Sequence, residues 1–582
     1  MLWFMLLACK KDADKIDDGT VNGSFTGYSM EITEPQYGAF YQESVIPIEG
    51  KITPVGATLL IEGIPIATNN EGEFSFSLPF DADYEIVDFE LLEGELSERI
   101  PVYRGEDPIS TWPGGLTARL LPLGMDVLGR QLGAALDETG WSEQISTQMP
   151  STDWGTGGLY PVGLVHDPTV VVLSPQDEGV AVDFTLNRVG LAYELQYDLF
   201  GVMMTDTLSF IIDEVAIGAT AVPYLDDNGV LIFSLVEADL TMSSPDLVLG
   251  QLDPVLIEWL LQAGWDWILE PLSEMLLDTI LAEIGSLEIG GPFAFETEFM
   301  GAPFGIELYD IYGDLDGLAL GVEMEIGDMD SMDEIDIPVP TEEDAPEAQL
   351  AVALHEGLFH QLLSGQLLDL LSQDLDLAGS FGAIIGNGIM ALPGGDDAPS
   401  GDGWCLDINP GDTNLVRMHE SVAPLASLYL PDFRMNVGIQ ENGDCEDWLN
   451  ASLATEVQIN VKEGSKLAID VKIDDGSLLY YGSDDYQDGD ISEEEVIEAL
   501  GNYMSTMLGL LGGVTEVDLG EFLSGGVGET GTGFGDLSIS IHDSSQMYNE
   551  EGDKLSGLYA LSIDLWNTSV NEEVDEEGDE SE

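Results

Sequence analysis

Hydrophobic and polar positions change their period from 2 to 3.6 at two places, one in each half of the chain. Leu116–Leu120 alternates apolar and polar side chains, and from Pro122 the leucines fall at helical spacing. Leu350–Leu354 alternates leucine and valine with alanine, and the leucines from Leu358 onward again follow helical spacing. Period 2 is typical of a strand and period 3.6 of a helix. The pattern therefore predicts a short strand that runs directly into an amphipathic helix in each half.

Both copies are followed by strand-like runs and then by a longer helical stretch. The predicted helices are Asp253–Ile284 in the first half and Ser492–Leu511 in the second. The strands predicted before them are Val180–Leu186, Leu191–Phe200, Thr207–Ile217 and Val230–Thr241, then Asn414–His419, Phe433–Ile439, Ser452–Val461 and Lys466–Ile473. Elements that recur in one order predict a duplicated α+β chain.

A different pattern, short strands separated by turns, precedes the first copy between Tyr28 and Arg104. Phe74, Phe76 and Leu78 alternate with polar residues, and no helical period is present. The segment resembles bacterial immunoglobulin-like domains in its Ile-Thr-x-Pro start, Ile32–Pro35, and its Gly-x-Pro-Ile strand pair, Gly63–Ile66. That resemblance implies an all-β sandwich acting as a spacer.

The extreme N-terminus combines an apolar run with a cysteine. Leu6-Leu7-Ala8-Cys9 resembles a bacterial lipobox, which implies that Cys9 carries a lipid and becomes the first residue of the mature protein. No Lys or Arg precedes the run, and this departs from the lipobox pattern. The polar stretch after Cys9 suits a tether, and Lys10 is not the Asp that retains enteric lipoproteins at the inner membrane. We expect a lipoprotein of the outer membrane or cell surface; the alternative is a buried apolar terminus with a chance cysteine.

No other segment has the roughly 18 uninterrupted apolar residues of a membrane span, so the expected attachment is an anchor. Removing Cys9 from the three cysteines leaves Cys405 and Cys445. In an oxidising compartment we expect these two to form a disulfide; the alternative is a reactive thiol pair.

The net charge of the chain excludes nucleic acids as partners. The chain has 111 Asp and Glu against 15 Lys and Arg, a formal net charge of −96, with 44% hydrophobic residues to build cores. Such acidity repels nucleic acid, so DNA and RNA are excluded as partners. A halophilic or marine setting and exposure outside the cell both account for the composition. The acidic run from Asn571 to Glu582 is typical of a disordered tail.

The duplicated strand, helix and sheet order resembles the tubular lipid-binding superfamily, which includes bactericidal/permeability-increasing protein. The resemblance covers about Gly115 to Leu565 and implies an α+β fold class. It implies two elongated, pseudo-repeated domains, each a strongly curved antiparallel sheet wrapped around a long helix, and an apolar tunnel that holds a lipid. A filled core is the alternative. The helical leucines and tryptophan assigned to lipid binding are Leu128, Leu132, Leu136, Leu256, Leu260, Trp267, Leu358 and Leu362.

One departure from that superfamily changes the expected ligand. Its bactericidal members are strongly basic where they meet lipopolysaccharide, whereas this chain has too few cations to build such a patch. A neutral lipid, or a lipid whose headgroup stays in solvent, is therefore expected.

A single segment resembles a metal site. Asp484–Glu495 resembles a twelve-residue calcium loop, but Tyr486 replaces its acidic third ligand. The alternative is an acidic turn in which Ser492 and Glu495 form a capping box. Calcium is thus a candidate ion and no cofactor is required. The candidate ligands are Asp484, Asp488, Asp490 and Glu495.

Catalytic motifs are not found, and we expect no enzyme. His355 and His360 are five residues apart, whereas a zinc-binding helix needs a separation of four. The sequence predicts an anchored lipoprotein that binds, sequesters or transfers a hydrophobic ligand; the alternative is a structural or adhesive surface protein with filled cores. The predicted regions are signal and tether 1–26, sandwich 27–107, first lipid-binding domain 108–330, acidic linker 331–347, second lipid-binding domain 348–568 and tail 569–582.

Overall fold

The computed structural model describes most of the chain between residues 20 and 567, and most of the described residues are in strands. The described residues are 20–22, 27–80, 82, 84–94, 96–138, 140–153, 155, 157–225, 231–243, 246–249, 273–279, 294–299, 302–326, 337–361, 404–409, 411, 415–441, 444–462, 466–472, 478–482, 516–518, 537–549 and 551–567.

The N-terminal region is a two-layer β structure, here called the sandwich. Its strands are β1 Thr20–Asn22, β2 Ser29–Glu34, β3 Ala39–Tyr41, β4 Val45–Thr53, β5 Leu59–Ile61, β6 Ile64–Ile66, β7 Glu73–Pro79, β8 Tyr84–Leu91 and β9 Leu96–Arg104, with a 3-10 turn at Leu92–Gly94. One sheet has the order β1-β2-β4-β7 and the other β3-β9-β8-β5-β6. Alternate residues of both sheets, such as Ile46, Ile48 and Phe89, meet in one buried core.

The first half contains the longest strands of the described chain. Its strands are β10 Gly115–Leu120, β11 Thr152–Asp153, β12 Gly157–Val165, β13 Val170–Gln176, β14 Gly179–Leu199, β15 Val202–Leu225, β16 Leu231–Met242, β17 Asp246–Leu249, β18 Ala294–Phe299, β19 Ala302–Asp314 and β20 Gly317–Ile326. Its helices are α1 Pro122–Glu138, α2 Trp141–Gln148 and α3 273–279. A sheet of order β11-β12-β14-β15-β16 also carries β13 on β14 and β17 on β15.

The second half repeats this plan with shorter strands. They are β21 Leu350–His355, β22 Trp404–Asn409, β23 Leu415–Met418, β24 Ala426–Glu441, β25 Asp444–Val461, β26 Lys466–Lys472, β27 Leu478–Gly482, β28 Glu516–Asp518, β29 Leu537–Tyr548 and β30 Lys554–Asn567, and the helix is α4 Glu356–His360. The sheet order is β22-β24-β25-β26-β28, with β23 on β24 and β27 on β25.

A third sheet joins the two halves, in the order β18-β19-β20-β10-β21-β30-β29. The two predicted strand-helix units meet at its centre, where β10 pairs antiparallel with β21 and Ala118 lies opposite Val352. The linker between the halves packs beside it, with Ala345 and Ala348 buried against Leu121. The two halves therefore share backbone hydrogen bonds.

The predicted fold class is wrong. The sequence predicts an α+β chain in which a curved sheet wraps around one long helix in each half, whereas the described residues are mostly strand with only short helices. Within the predicted helix 253–284 the described helical residues are 273–279, and the predicted helix 492–511 lies outside the described residues. The error arises because an apolar run of this kind signals burial, and burial alone does not fix helix length. The described core is built mainly from strands instead.

The first-half sheet is organised by the hairpin of β14 and β15. The two strands pair from Val180 opposite Ala221 to Leu199 opposite Val202, and the register omits only Arg188 and the residue across from it. At about 3.3 Å per residue, strands of 21 and 24 residues have contour lengths of roughly 70 and 80 Å. Phe200 and Gly201 form the two-residue turn, with φ of 56° and 86°. The hairpin therefore ends in a tight turn far from its base.

The sandwich packs against the second half. Tyr429 on β24 lies 4.6 Å from the ring of Tyr103 and 5.4 Å from that of Phe40, measured between ring centroids. The guanidinium of Arg417 lies 4.8 Å from the centroid of Phe40 and donates a 3.2 Å hydrogen bond to the carbonyl of Arg104. This aromatic and cation-π joint ties the sandwich to the β24 sheet.

Candidate functional site

The apolar interior of the first half extends along the β14 and β15 hairpin. Its buried core combines one face of the sheet with α1, α2 and Leu276 of α3. The strand residues with the least exposure include Leu186, Val189, Leu191, Tyr193, Leu195, Leu208, Ile212 and Val215. From Leu186 to Leu195 this strip extends for about 30 Å at the rise of a strand. It is an elongated, closely packed apolar core of about the length of an extended acyl chain.

Eight apolar side chains pack against this core and are themselves only partly buried. Five of them lie on β16 and α3 and are here called the seam: Leu235, Leu240, Met242, Met275 and Leu277. Leu and Met side chains at the boundary of a core can repack around a hydrocarbon because methionine is unbranched and polarizable. The seam is the candidate lipid-binding site, since a ligand there would add burial to side chains that already contact the core.

The structure locates part of the predicted lipid-binding set. Leu136 is buried in the first-half core and Leu132 packs against it, both on α1. Leu128, also on α1, is half-buried, and Leu358 is buried on α4 in the second half. These four positions are not brought to one place. The other predicted residues, Leu256, Leu260, Trp267 and Leu362, lie outside the described residues.

Sequence reasoning missed the seam. The alternation of Leu235 with more exposed neighbours marks β16 as a strand with one apolar face, but an alternating pattern does not show that this face is only half covered. The pairing of β16 along β15 is a tertiary fact, with Leu240 opposite Ile217.

The tip of the same hairpin exposes apolar side chains to solvent. Phe200 is 99% exposed, and Val202, Met203 and Met204 are 60%, 56% and 41% exposed. Asp198 fixes the turn, because its Oδ1 accepts a 2.5 Å hydrogen bond from the backbone N–H of Gly201. The tip is thus an ordered turn that presents a cluster of four apolar side chains.

A polar cavity of about 280 Å³ lies between the segment that follows the sandwich and the second half. Buried Glu356 lines it, accepts a 2.7 Å hydrogen bond from the Ile109 N–H, and faces the positive charges of Arg417 and Lys554. Burial raises the pKa of Glu356, and burial lowers the pKa of neighbouring His355 to about 4. The Nδ1 of His355 accepts a 3.1 Å hydrogen bond from the Gly357 N–H at the start of α4. The bond between Glu356 and Ile109 fastens α4 to the segment that follows the sandwich, and the bond between His355 and Gly357 caps the start of α4.

Glycine is required where β30 passes this joint. Gly557 has φ of 72°, and a Cβ there would lie 2.9 Å from Ile109 Cδ1 and 3.0 Å from His355 Nε2. A side chain would meet both a strained backbone and a filled space.

The cysteines occupy different strands. Cys405 on β22 lies opposite Gly438 of β24, and Cys445 on β25 lies opposite Gln440 of the same strand. Strand β24 therefore separates them, which places their Cα atoms roughly 10 Å apart or more, beyond the usual reach of a disulfide. This register does not bring the pair together, and the disulfide stays a prediction.

The predicted calcium ligands and the predicted lipid-anchor cysteine are not among the described residues. Asp484, Asp488, Asp490 and Glu495 lie outside the described residues, as does Cys9. Among the residues that are described, no group of three or more His, Cys, Asp or Glu side chains could hold a metal ion. None of the helices in that part of the chain is long and apolar enough to cross a membrane.

Three solved structures show partial similarity to this chain. Lipopolysaccharide binding protein matches with a TM-score of 0.46 and 12% identity, over 79% of this chain and 100% of that chain. P47 of Clostridium botulinum E1 matches with a TM-score of 0.25 and 8% identity, over 78% of this chain and 99% of that one. P47 from Clostridium botulinum A2 matches with a TM-score of 0.23 and 10% identity, over 78% and 98%.

No protein-family model matches the sequence, and no curated protein matches it. Identities and TM-scores this low do not indicate which ligand this chain binds.

Proposed function

We propose that the protein binds a lipid or similar hydrophobic ligand at the first half, with the acyl portion held along the seam. The observation that carries this proposal is the partial burial of five apolar side chains, Leu235, Leu240, Met242, Met275 and Leu277, against one continuous core. Each Å² of apolar surface removed from water contributes about 25 cal/mol. A ligand that covers the seam would gain this term without opening a polar region.

The ligand is a lipid recognised by its hydrocarbon part. No Lys or Arg occurs between Arg188 and Arg417, a stretch that includes the part of β14 nearest the turn and all of β15, β16 and α3. A phosphate or carboxylate headgroup near the seam would find no cation of this stretch to pair with. The headgroup is neutral or zwitterionic, or it remains in solvent.

The protein acts from a membrane to which Cys9 anchors it. The support is the Leu6-Leu7-Ala8-Cys9 sequence and the polar stretch that follows. Metabolic labelling with palmitate, followed by phase separation in detergent, tests the anchor. Wild-type protein takes up label and enters the detergent phase, and Cys9→Ser does neither; equal labelling of the two proteins refutes the anchor.

Native mass spectrometry with organic extraction tests ligand binding. Purified wild-type protein carries lipid, and the double variant Leu240→Gln/Leu277→Gln carries at least several-fold less, because two polar amides now line the seam. The matched control Asp239→Asn/Asp278→Asn alters the neighbouring exposed residues and retains the lipid. Protein that is free of lipid after mild purification, and stays free after incubation with phosphatidylcholine, contradicts the proposal and favours a structural protein with a filled core.

A further inference from the structure

The β14 and β15 hairpin ends in a turn whose chemistry the fold does not explain. Phe200 occupies the left-handed region, with φ of 56°, where glycine, asparagine and aspartate are favoured and a bulky aromatic residue is disfavoured. Its side chain is 99% exposed, so no contact within the protein compensates for this backbone conformation. A residue that is unfavourable both in its backbone and in water indicates a partner outside the chain.

The apolar character of the tip extends to both faces of the hairpin. Successive side chains of a strand point to opposite faces, and Val202, Met203 and Met204 are consecutive and all exposed. A protein partner that packed on one face would leave the other face in water. An apolar medium that surrounds the tip on both faces would cover all of them.

The length of the tip suits the interfacial zone of a bilayer. The outer neighbour of β14 is β12, and its pairing reaches Tyr197, opposite Gly157. Beyond Tyr197 the hairpin projects by about three residues, or roughly 10 Å, which is the depth to which interfacial segments enter a membrane. Tyr197 lies opposite Met204, and Asp198 lies opposite Met203, so both pairs would lie at the level of the headgroups, which tyrosine favours. Val202 and Phe200 follow them toward the turn and would enter furthest.

We propose that Phe200, Val202, Met203 and Met204 form a membrane-inserting tip that docks the first half on a zwitterionic lipid surface. The negative charge around the tip favours a zwitterionic surface over an anionic one. No Lys or Arg lies between Arg188 and Arg417, and exposed Asp198 stands at the base of the turn, so an anionic surface would be repelled. Docking by the tip goes beyond ligand binding at the seam and does not depend on it.

Flotation with phosphatidylcholine vesicles tests the tip. The full-length chain with Cys9→Ser is used, so that a lipid anchor does not contribute to binding. The substitution Phe200→Asn keeps a two-residue turn, because Asn-Gly is a favoured hairpin sequence. It is expected to lower vesicle partitioning by about tenfold, since the aromatic side chain no longer enters the interface. The double variant Val202→Ser/Met203→Ser is expected to lower it further.

Val165→Ser is the matched control. Val165 is 69% exposed on the same sheet but lies opposite Gly190, about ten residues from the tip along β14, so its substitution leaves partitioning unchanged. Added phosphatidylglycerol does not increase binding of the wild-type tip. Equal partitioning of Phe200→Asn and wild type overturns the proposal, and so does binding that rises with phosphatidylglycerol.

Two further outcomes separate this proposal from its alternatives. If Phe200→Asn changes the molar mass in light scattering without vesicles, the tip is an interface between two copies and the membrane proposal fails. If Phe200→Asn retains its co-purified lipid while losing vesicle binding, docking and ligand binding are separate properties, as proposed.

Discussion

The two long hairpins of this protein are both antiparallel strand pairs, and they differ in the residues at their ends. In the first half, β14 and β15 are joined by Phe200-Gly201, next to Val202, Met203 and Met204. In the second half, β24 and β25 pair up to Glu441 opposite Asp444, and the sequence between them is Asn442-Gly443. Residues 442 and 443 lie outside the described residues, and their sequence, Asn-Gly, is a favoured one for two-residue hairpin loops. Strand pairing in a long hairpin therefore does not require apolar residues at its end.

The hairpins also differ in what packs against them. The β24 sheet carries the sandwich through Tyr429 and Arg417, whereas the β14 sheet carries α1, α2 and α3 over a core with a half-covered seam. Sheet surface that binds the sandwich is not free to bind a ligand. We infer a division of roles, in which the second hairpin holds the molecule together and the first meets lipid.

A substitution in the core of the first hairpin should lower the free energy of unfolding far more than a substitution at its tip. Leu191 has no exposed surface, so Leu191→Ala leaves a cavity and lowers the free energy of unfolding by about 2 to 5 kcal/mol. Phe200→Ala leaves no cavity and changes it by about 0.5 kcal/mol or less. Urea unfolding followed by tryptophan fluorescence measures both. A loss of similar size for the two variants would mean that Phe200 packs within the fold, contrary to its exposure.

The next effect concerns the joint between the sandwich and the second hairpin. Glu98 on β9 is buried, its Oε2 has no hydrogen-bond partner, and burial raises its pKa to about 7. Nearby Tyr37 interacts electrostatically with Glu98 and with Asp432 and Arg434 of β24. A raised carboxyl pKa gives stability that is fully present below pH 4.5 and is lost as pH rises through about 7.

Glu98→Gln should remove that dependence. At pH 8 the variant is more stable than the wild type by up to about 3 kcal/mol, and the difference shrinks toward zero at pH 4.5. Thermal unfolding of both proteins across this range measures the difference, and the conservative Glu90→Gln on exposed β8 surface serves as control. A difference that is constant with pH would show that Glu98 is not buried in this joint.

The substitution that weakens vesicle binding should slightly stabilise the fold. Phe200→Asn should raise the free energy of unfolding by about 1 kcal/mol, because asparagine tolerates the left-handed conformation better than phenylalanine does. Thermal unfolding without lipid checks this. If the variant is destabilised, the aromatic side chain supports the turn and the comparison with Asn442-Gly443 loses its force.

The sequence predicted local elements better than their assembly. The change of period at Leu116 and at Leu350 indicated β10 with α1 and β21 with α4, and all four are present. That β10 pairs with β21 could not be predicted, because periodicity carries no information on which distant strands meet.

The fold class and the site were harder to predict. Apolar side chains on several faces of 253–284 led to a long wrapped helix, whereas strands build most of the described core. Leu132 and Leu136 were assigned to a lipid site and do pack at the first-half core, but the seam depends on the packing of β16 and α3. The tip could not be predicted, because the alternating pattern ends the strand at Phe200 but does not show that the turn projects beyond the neighbouring strand β12.

Photo-crosslinking with a diazirine-labelled phosphatidylcholine tests most directly whether the first half holds lipid. Peptide mapping is expected to place most of the label on β16 and α3, around Leu240 and Leu277, and on the tip at Phe200. The sandwich, whose core is closed between two sheets, serves as the internal reference and should be labelled only weakly. Label on β16 and α3 that is no greater than on the sandwich would contradict the account.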